Sequence, residues 1–237
     1  MACELHRKVT RKAVWRLYND RTHAIAGNAL QHGRETGALC NRVAVTPHLV
    51  DHSAFDAYAL EIEAGGRRLF YSGDLRGHGR KSKLFERMLK KPPKNIDVML
   101  MEGSSLGRLT ESERFPTEEE LKRIFIDRFK TTPGMVLVAC SAQNIDRVVT
   151  IYRAANRAER TLIVDAYAAE VLKATGNDHI PKPVRGWRNL AVFIPQAQRV
   201  HLKRRGIAPI VDSYRGFRLW PEQLAEHAPR SVMLFRG

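Results

Sequence analysis

The sequence predicts an α/β fold, and three observations carry that reading. Two strand-like runs, Tyr58–Glu63 and Arg67–Ser72, flank the turn Ala64-Gly65-Gly66 and spell out a hairpin. From about Phe115 onward helical and strand patterns alternate, the order that yields parallel strands joined by crossover helices. With 237 residues, 43% hydrophobic and 27% charged, the chain is long and apolar enough to bury a sizeable core.

The elements follow in chain order. Residues 1–42 form a polar, basic leader with a helix expected over Val9–Tyr18 and scattered glycines; no function attaches to it. Val43–Thr46 is a β-branched strand, and the hairpin comes next. Leu84–Lys91 reads as a short helix that Pro92 and Pro93 stop, and Asp97–Met101 as a buried strand ending at Glu102. A polar loop covers Gly103–Pro116. Thr117 then caps a helix through Lys130, with Glu120 completing a capping box. Gly134–Ala139, Thr161–Asp165, Leu190–Ile194 and Val232–Phe235 read as strands, and Asn144–Ala158 and Tyr167–Thr175 as helices. The stretch between the last two strands is basic helical or loop material. Domain boundaries are expected at 1–42, 43–114 and 115–237.

Composition excludes several classes. No run of 18 apolar residues could span a bilayer, and no apolar core follows Arg7, Lys8, Arg11 and Lys12 to make a secretory signal, so a cytoplasmic protein is expected. Cys3, Cys40 and Cys140 are too few and too widely spaced for a disulfide framework or a Cys-x-x-Cys zinc site. The formal charge of +15, with a pI near 10.2, attracts polyanions through counterion release, which makes nucleic acid the expected partner.

Three clusters could carry chemistry. In the loop that follows Thr46 lie His48, Asp51, His52, Ser53 and Asp56, where imidazoles and carboxylates can converge on a metal or a proton; turn capping and solvated histidines are the structural alternative. In Tyr71-Ser-Gly73-Asp74-Leu-Arg76-Gly-His78-Gly-Arg80-Lys81, a carboxylate stands at a strand end, where α/β sites gather; an ordinary turn and a solvated basic loop would also explain it. In Cys140-Ser141-Ala-Gln143-Asn144-Ile-Asp146-Arg147, a strand leads into a helix N-terminus suited to an anion, although N-capping by Ser141 or Asn144 needs no ligand.

Together, His52, a hairpin and then Gly73-Asp74 resemble the third and fourth metal-site motifs of the metallo-β-lactamase superfamily, most closely its ribonuclease J-like and other β-CASP hydrolases. The resemblance spans about Val43 to Arg236. It implies a partial metallo-β-lactamase αββα sandwich with an inserted β-CASP-like α/β domain. It makes His52 and Asp74 metal ligands, with Asp74 bridging two zinc ions in the complete family site, and gives Asp74 and Glu102 of Met101-Glu102-Gly103-Ser104 the catalytic carboxylates. His48, Asp51, Ser53, Asp56 and His78 would surround them. Thr110 and Glu111, or Thr117 and Glu118, resemble the Thr-Glu pair that follows. Ser141, Gln143, Asn144 and Arg147 would hold substrate phosphate.

The implied activity is RNA-processing nuclease chemistry, metal-dependent phosphodiester hydrolysis, with RNA as partner, no membrane and room for a homo-oligomer. The family's His-x-His-x-Asp-His motif is absent; His48-Leu-Val-Asp51-His52 has the wrong spacing and lies on the wrong side of the hairpin. The later histidine motifs are absent too. The chain is therefore expected to be truncated at both ends of the site and inactive or weakly active. A non-catalytic nucleic-acid binder and a hydrolase of small esters or lactams are the competing expectations.

Overall fold

The computed structural model describes residues 37–40, 43–104, 107, 110 and 113–235. Residues 1–36 of the leader, with its predicted helix and Cys3, and Glu111 lie outside the described residues, while residues 37–40 of the leader form a strand. The chain divides into two units. The first takes residues 37–50, 56–75 and 84–104; the second takes 51–55, 76–83 and the described residues from 107 on. The fold class is α/β, with one largely antiparallel and one parallel sheet.

The first unit is built on a five-stranded sheet in the order β1 (Gly37–Cys40), β2 (Val43–Leu49), β3 (Tyr58–Ala64), β4 (Arg67–Tyr71), β5 (Val98–Leu100). Strands β1 to β4 are antiparallel neighbours, whereas β5 pairs parallel with β4. Ala64 pairs with Arg67, so Gly65-Gly66 is a two-residue hairpin turn, as predicted. Helix α1 (Ser82–Lys90) crosses from β4 to β5. The fully buried apolar side chains of this unit are Val50, Ala59 and Phe70, with Ala57, Leu75, Met88 and Ile96 packed around them.

One expectation is corrected here. The run predicted as a buried strand is exposed: Val98, Met99, Leu100 and Met101 keep 48, 57, 45 and 64% of their surface. The reason is topological, since β5 is the edge of the sheet and has β4 on one side only.

The second unit holds a five-stranded sheet in the order β6 (Val136–Ala139), β10 (Ser231–Phe235), β7 (Thr161–Val164), β8 (Leu190–Phe193), β9 (Arg218–Leu219), every pair parallel. The helices are α2 (Glu118–Thr131), α3 (Ile145–Arg157), α4 (Ala166–Ala174), α5 (Gln196–Arg204), α6 (Pro209–Ser213) and α7 (Pro221–His227). The predicted capping box opens α2: Thr117 Oγ1 accepts from the Glu120 amide at 3.2 Å and the Glu120 carboxylate accepts from the Thr117 amide at 2.8 Å.

Helix α3 buries a stripe of Val148, Ile151, Tyr152 and Ala155 that meets Leu162, Val164, Val192 and Val232 of the strands in one continuous core. Burying an aliphatic side chain of this kind contributes roughly 1.5–3 kcal/mol. At the opposite end of the sheet, Arg160 is buried and donates to the carbonyls of Thr132, Gly134 and Ser231, which ties the entries of β6 and β10 together. Among the described residues no helix is long and apolar enough to cross a membrane.

Candidate functional site

In the first unit the parallel strands β4 and β5 end side by side, and their ends carry two of the predicted carboxylates. Ser72 is buried, its amide donating to the Leu100 carbonyl at 2.9 Å and its hydroxyl accepting from the Glu102 amide at 3.0 Å. Gly73 follows with φ +57°, and a Cβ there would stand 2.8 Å from the Tyr58 carbonyl oxygen, so only glycine fits this close, left-handed turn. The turn leaves Asp74 exposed. Glu102 accepts from the next amide, that of Leu75, at 3.2 Å, and Ser104 donates to its other oxygen. Glu102 thus braces the backbone that presents Asp74. The Tyr58 hydroxyl is buried without a hydrogen-bond partner; burial, then the Asp56 charge, push it up to about 12.

His48 sits on β2 and directs Nε2 across the sheet to Glu61, 3.3 Å away, with its ring beside Phe70. This diagonal cross-strand pair is a sheet contact. His52 belongs to the second unit and accepts from the Ala54 amide at Nδ1, 3.3 Å.

The densest polar assembly lies within the second unit and centres on two acids, Asp51 and Asp146, both nearly inaccessible. Asp51 accepts from the Gly79 amide at 2.7 Å and the Lys81 amide at 3.1 Å, while its carbonyl takes the Arg76 amide at 2.8 Å. A Cβ on Gly79 would fall 2.3 Å from Asp51 Oδ1 and 2.6 Å from the Arg76 guanidinium, so the loop closes only around a bare backbone. Asp146, in the first turn of α3, takes Arg76 Nη2 at 2.5 Å, the Arg80 amide at 3.1 Å and Lys81 Nζ at 3.5 Å. Lys81 also donates to the carbonyls of His52 and Ala54, and the Ser53 carbonyl accepts from the Asp146 amide.

Glu118 completes the assembly. It is buried, accepts from Thr150 Oγ1 at 2.6 Å and from the Arg147 guanidinium at 3.2 Å, and lies 3.9 Å from Arg76. Burial alone would raise its carboxyl, but the bonds from Arg147 and Thr150 and the charges of Arg147 and Arg76 outweigh that and lower it. Arg80 donates to Thr150 at 2.7 Å, and burial followed by repulsion from Arg153 pulls its guanidinium down. His78 stacks on Phe115 with centroids 5.2 Å apart; burial, then Arg76, hold its imidazole below the ordinary value and favour the neutral ring. The loop for which a solvated basic face was the structural alternative is pinned through Arg76, Arg80 and Lys81 to α3.

The predicted phosphate-binding turn lies at the carboxyl ends of β6 and its neighbours. Asn144 caps α3, its side-chain oxygen accepting from the Arg147 amide at 3.0 Å. Ser141 Oγ accepts from the Gln143 amide at 3.3 Å, and Gln143 Nε2 donates to Tyr167 Oη at 3.1 Å. The α3 first-turn amides thus have partners within the protein, and Arg147 is engaged by Glu118. Ser141 and Gln143 remain exposed. A cleft of about 470 Å³ opens at the same sheet edge, lined by Ala142, Asp165, Phe193, Pro195, Met233 and Phe235 among others. That is the edge at which open parallel sheets bind ligands.

A zinc-type centre needs at least three protein ligands. Among the described residues, no group of three or more His, Cys, Asp or Glu side chains is disposed to hold a metal ion. The described residues therefore do not fit the two-zinc centre that the resemblance implies. The structure brings Asp74 together with Glu102 at the strand ends, and Arg147 with Glu118 of α2. Thr150 was not singled out from the sequence, and Arg76, Arg80, Lys81, Asp146 and Glu118, though they lie within or beside the quoted motifs, were not expected to pair with one another; the one local signal was the density of basic residues after Asp74.

No protein-family model and no curated protein matches the sequence. Among solved structures the chain is similar to a protein of unknown function from Enterococcus faecalis V583, at 19% identity and a TM-score of 0.62, over 86% of this chain and 43% of that one. The chain spans less than half the length of that protein, and the likeness is one of fold.

Proposed function

We propose that the protein is a cytoplasmic nucleic-acid-directed chain of the metallo-β-lactamase, β-CASP type, related to RNA-processing phosphodiesterases, which holds RNA and cleaves it weakly or not at all with its own residues. The observation that carries the reading is the pair of strand-end carboxylates, Asp74 exposed at the end of β4 and Glu102 bracing it from the end of β5. The +15 charge supports a polyanionic substrate.

The chemistry assigned to the protein's own groups is modest. Asp74 offers a carboxylate oxygen to a cation or a proton, Glu102 fixes the turn that aims it, and Ser141 and Gln143 offer hydrogen bonds to phosphate. The test is fluorescence anisotropy of a labelled single-stranded RNA over a salt series, run beside a cleavage assay with added zinc or manganese. Binding that weakens steeply with salt and little cleavage is expected, and Asp74→Asn should leave binding intact. Binding with no metal-stimulated cleavage at all selects the non-catalytic binder. No binding at low salt, or turnover of a thioester or β-lactam, overturns the nucleic-acid reading.

A further inference from the structure

Strand β9, the residue that follows it and the first turn of α5 bring an aromatic ring and two arginines to one edge of the second unit's sheet. Arg218 and Leu219 of β9 pair with Val192 and Phe193 of β8, so the residues that follow, Trp220 and Ile194-Pro195, leave the sheet at the same carboxyl edge. Trp220 is held by its backbone: its amide donates to Gln223 Oε1 at 2.9 Å and Pro221 starts α7 directly after it. Its indole nevertheless stays 46% exposed, and the Arg218 guanidinium lies over it, 3.8 Å from the ring centroid. Such a stack orients the guanidinium and gains roughly 0.5–2 kcal/mol.

Arg199, in the first turn of α5, donates through Nη2 to Gln196 Oε1 at 2.5 Å, while its Nε is buried and has no hydrogen-bond partner. Burial and then the charge of Arg199 disfavour the cation on Arg218; Asp212 offsets part of this without forming an ion pair with it. Arg199 opens α5 directly after β8 and Arg218 lies on the neighbouring β9, so both arginines are carried to the same carboxyl edge, with Arg199 Nε left without a hydrogen-bond partner. An orphaned buried donor and a pair of like charges both gain from an anion with several acceptor oxygens. The flat apolar face beside them suits an aromatic ring carried by that anion.

We propose that Arg199, Arg218 and Trp220 form a nucleotide site for single-stranded nucleic acid, in which the two guanidiniums hold a backbone phosphate and the exposed indole stacks on a base. The site extends the nucleic-acid reading given above and rests on it. Its recognition is of phosphate and ring rather than of base edges, so it tolerates sequence. The cleft at the carboxyl ends of β10, β7 and β8, with Phe193 and Pro195 in its wall, opens on the same edge and gives a neighbouring nucleotide room.

The experiment titrates the intact protein into a fluorescein-labelled oligoadenylate of about 15 nucleotides and follows anisotropy as a function of salt. Trp220→Ala should weaken binding by about tenfold, while Trp220→Phe retains most of it. Arg199→Gln and Arg218→Gln should each lower the magnitude of the salt slope by about one. Circular dichroism of each variant, unchanged from the parent, keeps a folding defect apart from a lost contact. If the parent binds and all the variants bind equally, this site is overturned while the broader reading stands. If only the arginine variants weaken, the site takes a phosphate without a base and the nucleotide assignment fails. If the parent itself does not bind, the nucleic-acid reading falls and this inference with it.

Discussion

The two units bury their apolar residues to very different degrees. In the second, Val148, Ile151, Leu162, Leu172, Val192 and Val232 are essentially sealed between helices and a parallel sheet. In the first, Val50, Ala59 and Phe70 reach that state, while all three residues of the edge strand β5 and Met101 after it stay exposed. Equal hydrophobicity in the sequence therefore does not mean equal burial. A strand gains from the hydrophobic effect only where another layer removes it from water. Stability should accordingly concentrate in the second unit, and substitutions there should cost more.

The largest effect is expected from Asp146→Ala, which leaves Arg76, Arg80 and Lys81 without their shared carboxylate. Orphaning charges this far from water costs about 4 kcal/mol, readable in urea unfolding. Hydrogen exchange should quicken in residues 145–157 and stay unchanged in strands β2 to β4. Leu162→Ala, at a fully inaccessible position, should cost about 3 kcal/mol; a loss below about 1 kcal/mol would erase the contrast between the units.

In the first unit, Gly73→Ala forces a Cβ against the Tyr58 carbonyl at a positive φ and should cost about 1–3 kcal/mol, with a fall in whatever activity Asp74 supports. Glu118→Gln should act through pH. The Glu118 carboxyl is held below its ordinary 4.5, so its stabilisation is complete above 4.5 and is lost as pH falls through its folded value. The variant's melting temperature should fall less steeply than the parent's below pH 4.5. The smallest change is expected from Met101→Lys on the exposed edge, within about 0.5 kcal/mol. A larger loss in chemical denaturation would mean that this strand is covered in solution.

Legibility in the sequence followed how local the cause was. The Thr117 capping box, the Asn144 cap and the Gly65-Gly66 turn depend on neighbours a few residues away, and each was visible as a pattern of residue types. The β6, β7, β8 and β10 strands stood out because they are short apolar runs between helical ones. Strand β5 looked the same in one dimension, and only the strand order reveals that it lies at an edge. Helix α5 was not separated from loop because its face toward the core is a single buried residue, Leu202, among arginines and lysines. The Asp146 assembly was hidden for another reason: Arg76 and Asp146 are 70 residues apart, and no spacing rule links them. Within the candidate site, Gly73-Asp74 and Glu102 were readable as strand-end motifs, whereas the hydrogen bond by which Glu102 braces the turn was not.

The placement of β10 has a consequence for how the protein is made. Its residues, 231–235, come after the other four described strands of this sheet, yet they fill the slot between β6 and β7. A ribosome thus delivers β6 roughly ninety and β7 roughly seventy residues before the piece that joins them. Until it arrives, the facing edges of β6 and β7 expose unpaired amides and carbonyls, the condition under which nascent chains misassociate. The middle of this sheet is the last part of it to be synthesised, and chaperones that shield open strand edges have their longest window there.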